Sequence, residues 1–120
     1  MSQVAHKPIV FKYPYVRSRQ LLDSSKGQVC TFGFHGCSRN AETTVARHAN
    51  LDICGKGGSI KASDIYSADG CSSCHDVYDG RVKSEYTDDE KQRFFWHAFV
   101  RTTNRRLTDG LITVAGNTTT

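Results

Sequence analysis

A helical period of apolar positions appears only near the C-terminal end of the chain. The row consists of Trp96, Val100, Thr103 and Leu107, with Phe95 and Phe99 beside it. Ahead of this row, Thr87 and Glu90 have the spacing of an N-terminal capping box, and Gly110 is a typical residue after a helix end. The pattern therefore predicts a long helix whose aromatic row packs in the core.

The other predicted elements are short. Residues 1–16 contain two prolines and are expected to form an extended arm, while Ser18 is suited to cap a short helix that ends before Gly27. β-Branched residues between turn formers favour a strand at 43–48 and another at 111–114. Helices and short strands together indicate an α+β fold.

A single domain accounts for these elements. The stretch 28–80 is rich in Gly, Cys and Ser without a long period, and it includes a glycine-rich loop at 56–59. We assign the domain to 17–114, with the arm at 1–16 and a polar tail at 115–120. A chain of 120 residues has room for one modest core.

Composition gives a reason to look for a metal. Hydrophobic residues make up 38% of the chain, which is low for a globular protein, and a structural metal is a common source of additional stability. No run of about 18 apolar residues is present, so we expect no membrane span. The N-terminal residues lack the apolar core of a secretory signal, which predicts a cytoplasmic protein in which disulfides are disfavoured. The five cysteines then need another role.

Four of the five cysteines are spaced as two pairs. Two residues separate Cys71 from Cys74, so one tight turn can bring both sulfurs to a tetrahedral zinc ion. Cys30 and Cys37 enclose a longer segment whose two glycines make a wider turn feasible. The two pairs predict a closed four-thiolate zinc site that stabilises the fold. Cys54 is the remaining thiol and an alternative zinc ligand.

Other interpretations of these cysteines are open. Cys71 and Cys74 could form a redox dithiol, although no βαβ pattern surrounds them. The cysteines could instead be ordinary buried residues. Cys54 or His35 could also replace one of the four zinc ligands.

Two histidines are placed where they could serve phosphodiester hydrolysis. His48 ends the predicted strand, and as a neutral imidazole it suits the activation of water. His75 directly follows a proposed zinc ligand and suits a divalent ion, Mg²⁺ or Mn²⁺, that keeps open positions. Arg47 or Lys61 could supply a cation near the phosphate. The remaining histidines are expected to be structural or surface residues.

The order of these features resembles the HNH, or His-Me finger, nucleases: a cysteine pair, a strand ending in His, a polar loop, then Cys-x-x-Cys-His. More closely, the chain is similar to small phage and prophage nucleases related to a RecA-dependent phage nuclease. The matching segments are 29–37, 41–50, 60–64 and 71–79, and the similarity extends into the predicted helices at 17–27 and 87–110. The resemblance implies a zinc-stabilised ββα-metal domain with additional N- and C-terminal helices.

The resemblance also implies roles for individual residues. His48 would be the general base, and His75, on the helix that follows, would bind the catalytic Mg²⁺ or Mn²⁺. The middle position of the motif, which orients the loop, is assigned to Asn50 or Asp64. Arg47 stands where many HNH relatives carry an acidic or His metal ligand.

Arg47 leaves three alternatives open for the catalytic ion. His75 could hold it with water and phosphate only, a carboxylate could join His75, or the domain could bind without cleaving. The candidate carboxylates are Asp64, Asp76 and Asp79.

The sequence therefore predicts a metal-dependent DNA endonuclease of HNH type that acts in phage recombination or DNA processing in the bacterial cytoplasm. The net charge of +4 is mild and allows a phosphate-binding face. Arg101 and Arg105, one turn apart on the last helix, are predicted to contact DNA together with Arg47 and Lys61. A recombinase filament could be a further partner. The alternative is a non-catalytic zinc module that binds nucleic acid or a recombination or host protein.

Overall fold

The computed structural model describes residues 13–57 and 60–117. Within them, the elements in chain order are α1 (Arg19–Ser24), β1 (Val45–His48), β2 (Ser67–Gly70), α2 (Ser72–Tyr78) and α3 (Asp88–Thr108), with single 3-10 turns at Ala41–Thr43 and Asp52–Cys54. Most of the predicted arm, two residues of the glycine-rich loop and the end of the tail lie outside the described residues. The described part is a small α+β domain, and no helix in it is long and apolar enough to cross a membrane.

A two-stranded antiparallel sheet carries Arg47 and His48, two of the residues selected from the sequence. In its register, Val45 faces Gly70 and His48 faces Ser67. The strand predicted at 43–48 forms from Val45 onward, because the preceding residues turn and are not paired. All four residues of β2 are buried although none is β-branched, so tertiary packing rather than intrinsic propensity makes this segment a strand.

Aromatic rings hold the helices against the sheet. Phe32, Phe34 and Phe95 are almost fully buried, and the Tyr78 ring of α2 stacks on Phe95 of α3 with 5.4 Å between centroids. The Phe32 ring lies 6.0 Å from Phe95 and 5.7 Å from Tyr78. α3 thus packs across both β2 and α2, and the loop that contains Phe32 closes the core from the other side.

The predicted helix starts are confirmed. The Ser18 hydroxyl accepts a hydrogen bond from the Leu21 backbone N–H and begins α1. At α3, the Thr87 hydroxyl accepts from the Glu90 N–H while the Glu90 carboxylate accepts from the Thr87 N–H, which is the complete capping box.

The strand predicted at 111–114 is wrong. The backbone N–H of Leu111 donates to the Arg106 carbonyl, and that of Gly110 donates to the Leu107 carbonyl. These two bonds, with Gly110 at a φ of 72°, are the Schellman arrangement that ends a helix. The backbone N–H of Leu111 therefore ends α3 and is not available to pair with a strand.

The predicted core face of α3 is right only in part: Phe95 is fully buried and Phe99 packs against the core, but the row beside them faces outward. Trp96, Val100 and Leu107 are 37%, 57% and 38% exposed. The buried face consists of Phe95, Ala98, Thr102 and Arg106. An apolar pattern misses this face because half of it is polar: the Thr102 hydroxyl accepts from the Asp69 N–H.

Two arginines near the end of α3 are structural. Arg106 is fully buried and donates to the Ser67 carbonyl and hydroxyl, and burial lowers its pKa. Arg105 donates from Nε and Nη2 to the two carboxylate oxygens of buried Asp69, at 2.8 and 2.9 Å. Such a bidentate pair fixes α3 on β2.

Candidate functional site

The four paired cysteines meet at one point. The Sγ atoms of Cys30, Cys37, Cys71 and Cys74 all lie within 4.8 Å of one another. The Cys37 and Cys71 sulfurs are 3.6 Å apart, close to the edge of about 3.8 Å that a tetrahedron with Zn–S bonds of about 2.3 Å requires. The cluster could therefore hold a zinc ion as a closed four-thiolate site. Within the described residues it is the one group of three or more His, Cys, Asp or Glu side chains with this geometry.

Local backbone geometry explains why these sulfurs converge. Gly33 and Gly36 both have positive φ angles, 71° and 85°, which let the segment from Cys30 to Cys37 fold back on itself. The second pair lies on α2: Cys71 is its N-cap residue and Cys74 is in its first turn. The wide spacing of the first pair is thus accommodated by glycines, as the sequence suggested.

Hydrogen bonds lower the pKa of two of the four cysteines, whereas burial raises that of Cys37 and the contact with Cys30 raises that of Cys74. The Cys74 thiol donates to the Cys30 sulfur, which lowers the pKa of Cys30 to about 4 and raises that of Cys74. Although burial opposes it, hydrogen bonding also lowers the pKa of Cys71, to about 7. Thiolates are the form that binds zinc. Cys54 lies apart from the cluster as a buried core residue, and burial raises its pKa, so it does not replace any of the four.

A polar cleft of about 590 Å³ opens beside the cluster, and we call it the histidine cleft. Its polar lining comes from β1, the loop after it and α2: Arg47, His48, Asn50, Lys56, Lys61, His75, Asp79 and Arg81. Both histidines selected from the sequence therefore lie in one cleft, together with Asn50. Sequence reasoning had not selected Arg81, and had considered Asp79 only as one of three carboxylates.

His48 is held by a carboxylate. Its Nε2 lies 2.9 Å from Oδ1 of Asp64, and the two side chains are 14% and 13% exposed. The other oxygen of Asp64 accepts from the Ser18 backbone N–H at 2.7 Å. Because an ionised carboxylate only accepts, the His48 proton is assigned to Nε2, which leaves Nδ1 as an acceptor. No described residue hydrogen-bonds to Nδ1.

His75 lies in the middle of a chain of hydrogen bonds. Nη1 of Arg47 donates to His75 Nδ1 at 2.8 Å, and His75 Nε2 is 2.6 Å from Oδ2 of Asp79. Oδ1 of Asp79 accepts from the Asn50 amide at 3.1 Å. A guanidinium can only donate, so the contact assigns the His75 proton to Nε2. Of the two candidates for the middle position of the motif, Asn50 contacts Asp79, the carboxylate that pairs with His75. Asp64 contacts His48 instead.

Burial and hydrogen bonding set the charges of Asp79 and Arg47, the two ionisable partners of His75. Burial alone would raise the pKa of Asp79, but hydrogen bonds from His75 and Asn50 outweigh it, and the pKa is lowered. Burial lowers the pKa of Arg47, whose Nε and Nη2 also donate to the carbonyls of Gly70 and Thr43. Asp79 is therefore an anion at neutral pH, and Arg47 is fixed from three sides.

The four basic residues predicted to contact DNA do not lie together in the structure. Arg47 and Lys61 line the histidine cleft. Arg101 lines a separate cleft along α3, where it donates to the Thr31 carbonyl. Arg105 is committed to Asp69 and is only 17% exposed, so its guanidinium is not available to a phosphate.

Comparison with known proteins places the chain in a family. A family model described as "Putative nuclease YbcO" matches residues 19–110. A solved structure described as a putative bacteriophage protein from Escherichia coli str. K-12 substr. MG1655 has a similar fold, with a TM-score of 0.60, 24% sequence identity, and coverage of 74% of this chain and 98% of that one. None of the curated proteins matches. Since the family model includes the cysteine cluster, both strands and α3, the chain belongs to the "Putative nuclease YbcO" family.

Proposed function

We propose that this protein is a metal-dependent DNA endonuclease of the HNH type that serves phage recombination or DNA processing. The observation that carries the proposal is the histidine cleft, where a carboxylate-held imidazole and an acidic His–Asp pair lie among four cations. The order of strand, loop, strand and helix around that cleft is the order the HNH resemblance implies. Membership of a family named as nucleases agrees with it.

His48 is the general base in this proposal. Nε2 is engaged by Asp64, so the free lone pair on Nδ1 can take a proton from a water molecule that attacks the phosphorus. The bond from phosphorus to the leaving ester oxygen breaks, and that oxygen takes a proton from solvent. Asp64 fixes the tautomer and stabilises the imidazolium that forms, as a carboxylate does in hydrolytic triads. Asp64 acts through His48 and is a positioning residue.

Cations in the cleft suit the charge that develops on a phosphodiester during hydrolysis. Lys56 and Lys61 are exposed, and neither has a carboxylate within ion-pair distance among the described residues. Their ammonium groups are therefore available to non-bridging phosphate oxygens. Fixed positive charge at that place stabilises the transition state more than the ground state.

A divalent ion fits the acidic end of the cleft with one carboxylate. Mg²⁺ commonly binds one or two protein carboxylates and keeps waters and substrate phosphate as its other ligands, and ionised Asp79 offers such a group. When bound, the ion supplies Lewis-acid stabilisation of the phosphate. His75 can join through Nε2 only if its proton moves to Nδ1, where Arg47 now donates. Asp79 is accordingly the primary ligand and His75 the secondary one.

The zinc ion has a separate, structural role in the proposal. A site with four thiolates has no open position for substrate, so it stabilises the fold instead of taking part in hydrolysis. The protein would thus use two kinds of metal, a resident zinc ion and an exchangeable Mg²⁺ or Mn²⁺.

One assay tests the proposal. Purified protein is incubated with labelled single-stranded and duplex DNA in the presence of Mg²⁺ or Mn²⁺, beside His48→Ala and the control His97→Ala. His97 is exposed on α3 and lines a different cleft, so the control removes an imidazole without touching the site. We expect cleavage by the wild type and the control, and a loss of about 10²-fold or more for His48→Ala. Equal cleavage by both variants would contradict the proposal.

The contact between Arg47 and His75 favours a second candidate function. A cation fixed on the nitrogen of a supposed metal ligand disfavours a divalent ion there, and would suit a site that binds phosphate without hydrolysing it. The second candidate is therefore a zinc module that binds nucleic acid or a recombination or host protein. Binding of DNA with no cleavage under either metal would select it.

A further inference from the structure

A second cleft lined by His48 has a volume of about 610 Å³. We call it the arginine cleft, and its lining is Tyr15, Arg17, Ser18, Arg19, Leu22, His48, Ile60, Lys61 and Asp64. His48 and Lys61 line this cleft and the histidine cleft as well. The two clefts therefore meet at the proposed general base, and a ligand longer than one phosphodiester could occupy both.

Hydrogen bonds fix the backbone segment that lines the arginine cleft. Val16 donates its backbone N–H to the Ser63 hydroxyl and accepts from the Asp64 N–H, each at 2.8 Å. The Tyr15 hydroxyl donates to the backbone carbonyls of Lys61 and Ala62. These bonds fasten the segment before α1 to the loop that carries Asp64, so the position of the segment is tied to that of His48.

Arg17 in this segment and Arg19, the first residue of α1, line the cleft together. Ser18 between them has extended backbone, with φ −144° and ψ 102°, and residues two apart in an extended chain project to the same side. Arg17 and Arg19 are both exposed. Neither has a carboxylate within 4.0 Å among the described residues, and the Asp64 carboxylate in the same cleft bonds to His48 and to the Ser18 N–H. Their charges are therefore unmatched within the described part of the protein.

An aromatic ring adds a second feature that suits a nucleotide. The Tyr15 side chain is 40% exposed, and the Arg17 guanidinium lies 5.3 Å from its ring centroid. Tyr15 cannot retreat into the protein because its ring rests against Gly55, where an added Cβ would come within 3.2 Å of two ring atoms. An anchored ring beside cations is the combination that single-stranded nucleic-acid sites use, with stacking for bases and guanidinium groups for phosphates.

We infer that the arginine cleft binds the DNA strand next to the scissile phosphate, with Arg17 and Arg19 on consecutive phosphates and the exposed edge of Tyr15 beside a base. The inference deepens the proposed function, since it gives the strand a path from the arginine cleft across His48 into the histidine cleft. It also implies that the preferred substrate is an oligonucleotide with at least two phosphates on the arginine side. A small diester would fill the histidine cleft only.

Binding without catalysis provides the test. A fluorescein-labelled single-stranded oligonucleotide is titrated with protein at several salt concentrations, with no Mg²⁺, Mn²⁺ or chelator added. Removing two phosphate contacts should reduce the slope of log K against log salt by about 1.4, since each contact on a single strand contributes about 0.7. At 0.1 M salt that change weakens binding by about 25-fold. The double variant is Arg17→Gln with Arg19→Gln.

A matched control separates a site from general charge. Lys83→Gln with Arg93→Gln also removes two exposed cations, and neither residue lines a cleft that contains His48. We expect this control to keep nearly the wild-type slope. An equal loss in both double variants, an unchanged slope in Arg17→Gln with Arg19→Gln, or no binding by the wild type at low salt would each overturn the inference.

Hydrolysis assays keep the two proposals apart. With Mn²⁺ present, the arginine variant should cleave the oligonucleotide with a raised KM but hydrolyse bis(4-nitrophenyl) phosphate at the wild-type rate. Loss of both activities would mean that the arginines support the catalytic centre itself, which contradicts the inference. If the wild type cleaves nothing while the salt slopes behave as expected, the endonuclease proposal fails and the strand site stands.

Discussion

Removal of metal from the cysteine cluster should unfold this protein. Structural zinc sites of this kind contribute about 10–16 kcal/mol at neutral pH, whereas a domain of this size is typically stable by about 5–15 kcal/mol. The metal term is therefore as large as the whole stability. Without the metal, the free energy of unfolding falls near or below zero.

The structure shows which parts of the core a metal ion at the cluster would hold in place. Phe32 and Phe34 are 1% and 2% exposed, yet both lie in a segment between Cys30 and Cys37 that has no regular secondary structure. Truncation of a buried phenylalanine side chain to alanine costs about 3–5 kcal/mol. Releasing the cysteines frees both rings at once, so we expect a cooperative loss of tertiary structure instead of local fraying.

The assay combines metal analysis with circular dichroism. Wild-type protein should contain one zinc ion per chain, and a strong chelator should abolish its near-ultraviolet signal at 25 °C, with recovery when zinc is returned. Cys74→Ser should fail to retain zinc, while Cys54→Ala, whose thiol lies outside the cluster, should stay loaded. Metal-free protein that melts at the same temperature as the loaded form would refute the reasoning. Reversible oxidation of Cys71 and Cys74 in protein isolated without metal would instead support the redox dithiol interpretation.

Three further substitutions follow from individual contacts. Asp64→Asn keeps the shape but removes the charge behind His48, so kcat for DNA cleavage should fall by about 10²-fold or more with KM nearly unchanged, and a wild-type kcat would contradict this. Asp69→Asn leaves Arg105 without its carboxylate and should cost about 3–5 kcal/mol in urea denaturation, whereas Asp109→Asn, at the exposed end of the same guanidinium, should change it by less than about 1 kcal/mol. Gly70→Ala places a Cβ 2.7 Å from the Arg47 side chain and 2.8 Å from the Phe32 ring, so the free energy of unfolding should drop by about 1–3 kcal/mol; an unchanged urea midpoint would show that the neighbours yield freely.

Local signals allowed the ends of the elements to be predicted from the sequence. Ser18 and the pair Thr87 and Glu90 act through hydrogen bonds to residues three positions away, so their spacing carries the information. The convergence of the four cysteines was predictable for a related reason, because the chemistry of zinc restricts which spacings are useful.

Features that depend on distant partners could not be predicted in this way. β2 consists of Ser-Ala-Asp-Gly, a sequence with no strand propensity, and it forms because β1, Thr102 and Arg106 satisfy its backbone and side chains. The inner face of α3 was misplaced for the same reason, since an apolar pattern does not select a charged residue such as the fully buried Arg106. The assignment of Asp64 to His48 and of Asn50 to Asp79 likewise needed the three-dimensional arrangement.

The short helix α2 connects the cysteine cluster to the residues proposed to bind the catalytic ion. Cys71 and Cys74 hold the first turn of α2 at the cluster, and His75 follows on this helix, one turn before its C-cap residue Asp79. The cluster therefore sets where α2 begins, and that position determines whether His75 reaches Arg47 on β1. A zinc ion that never touches substrate would still control the catalytic geometry, because the helix it anchors supplies both members of the acidic pair.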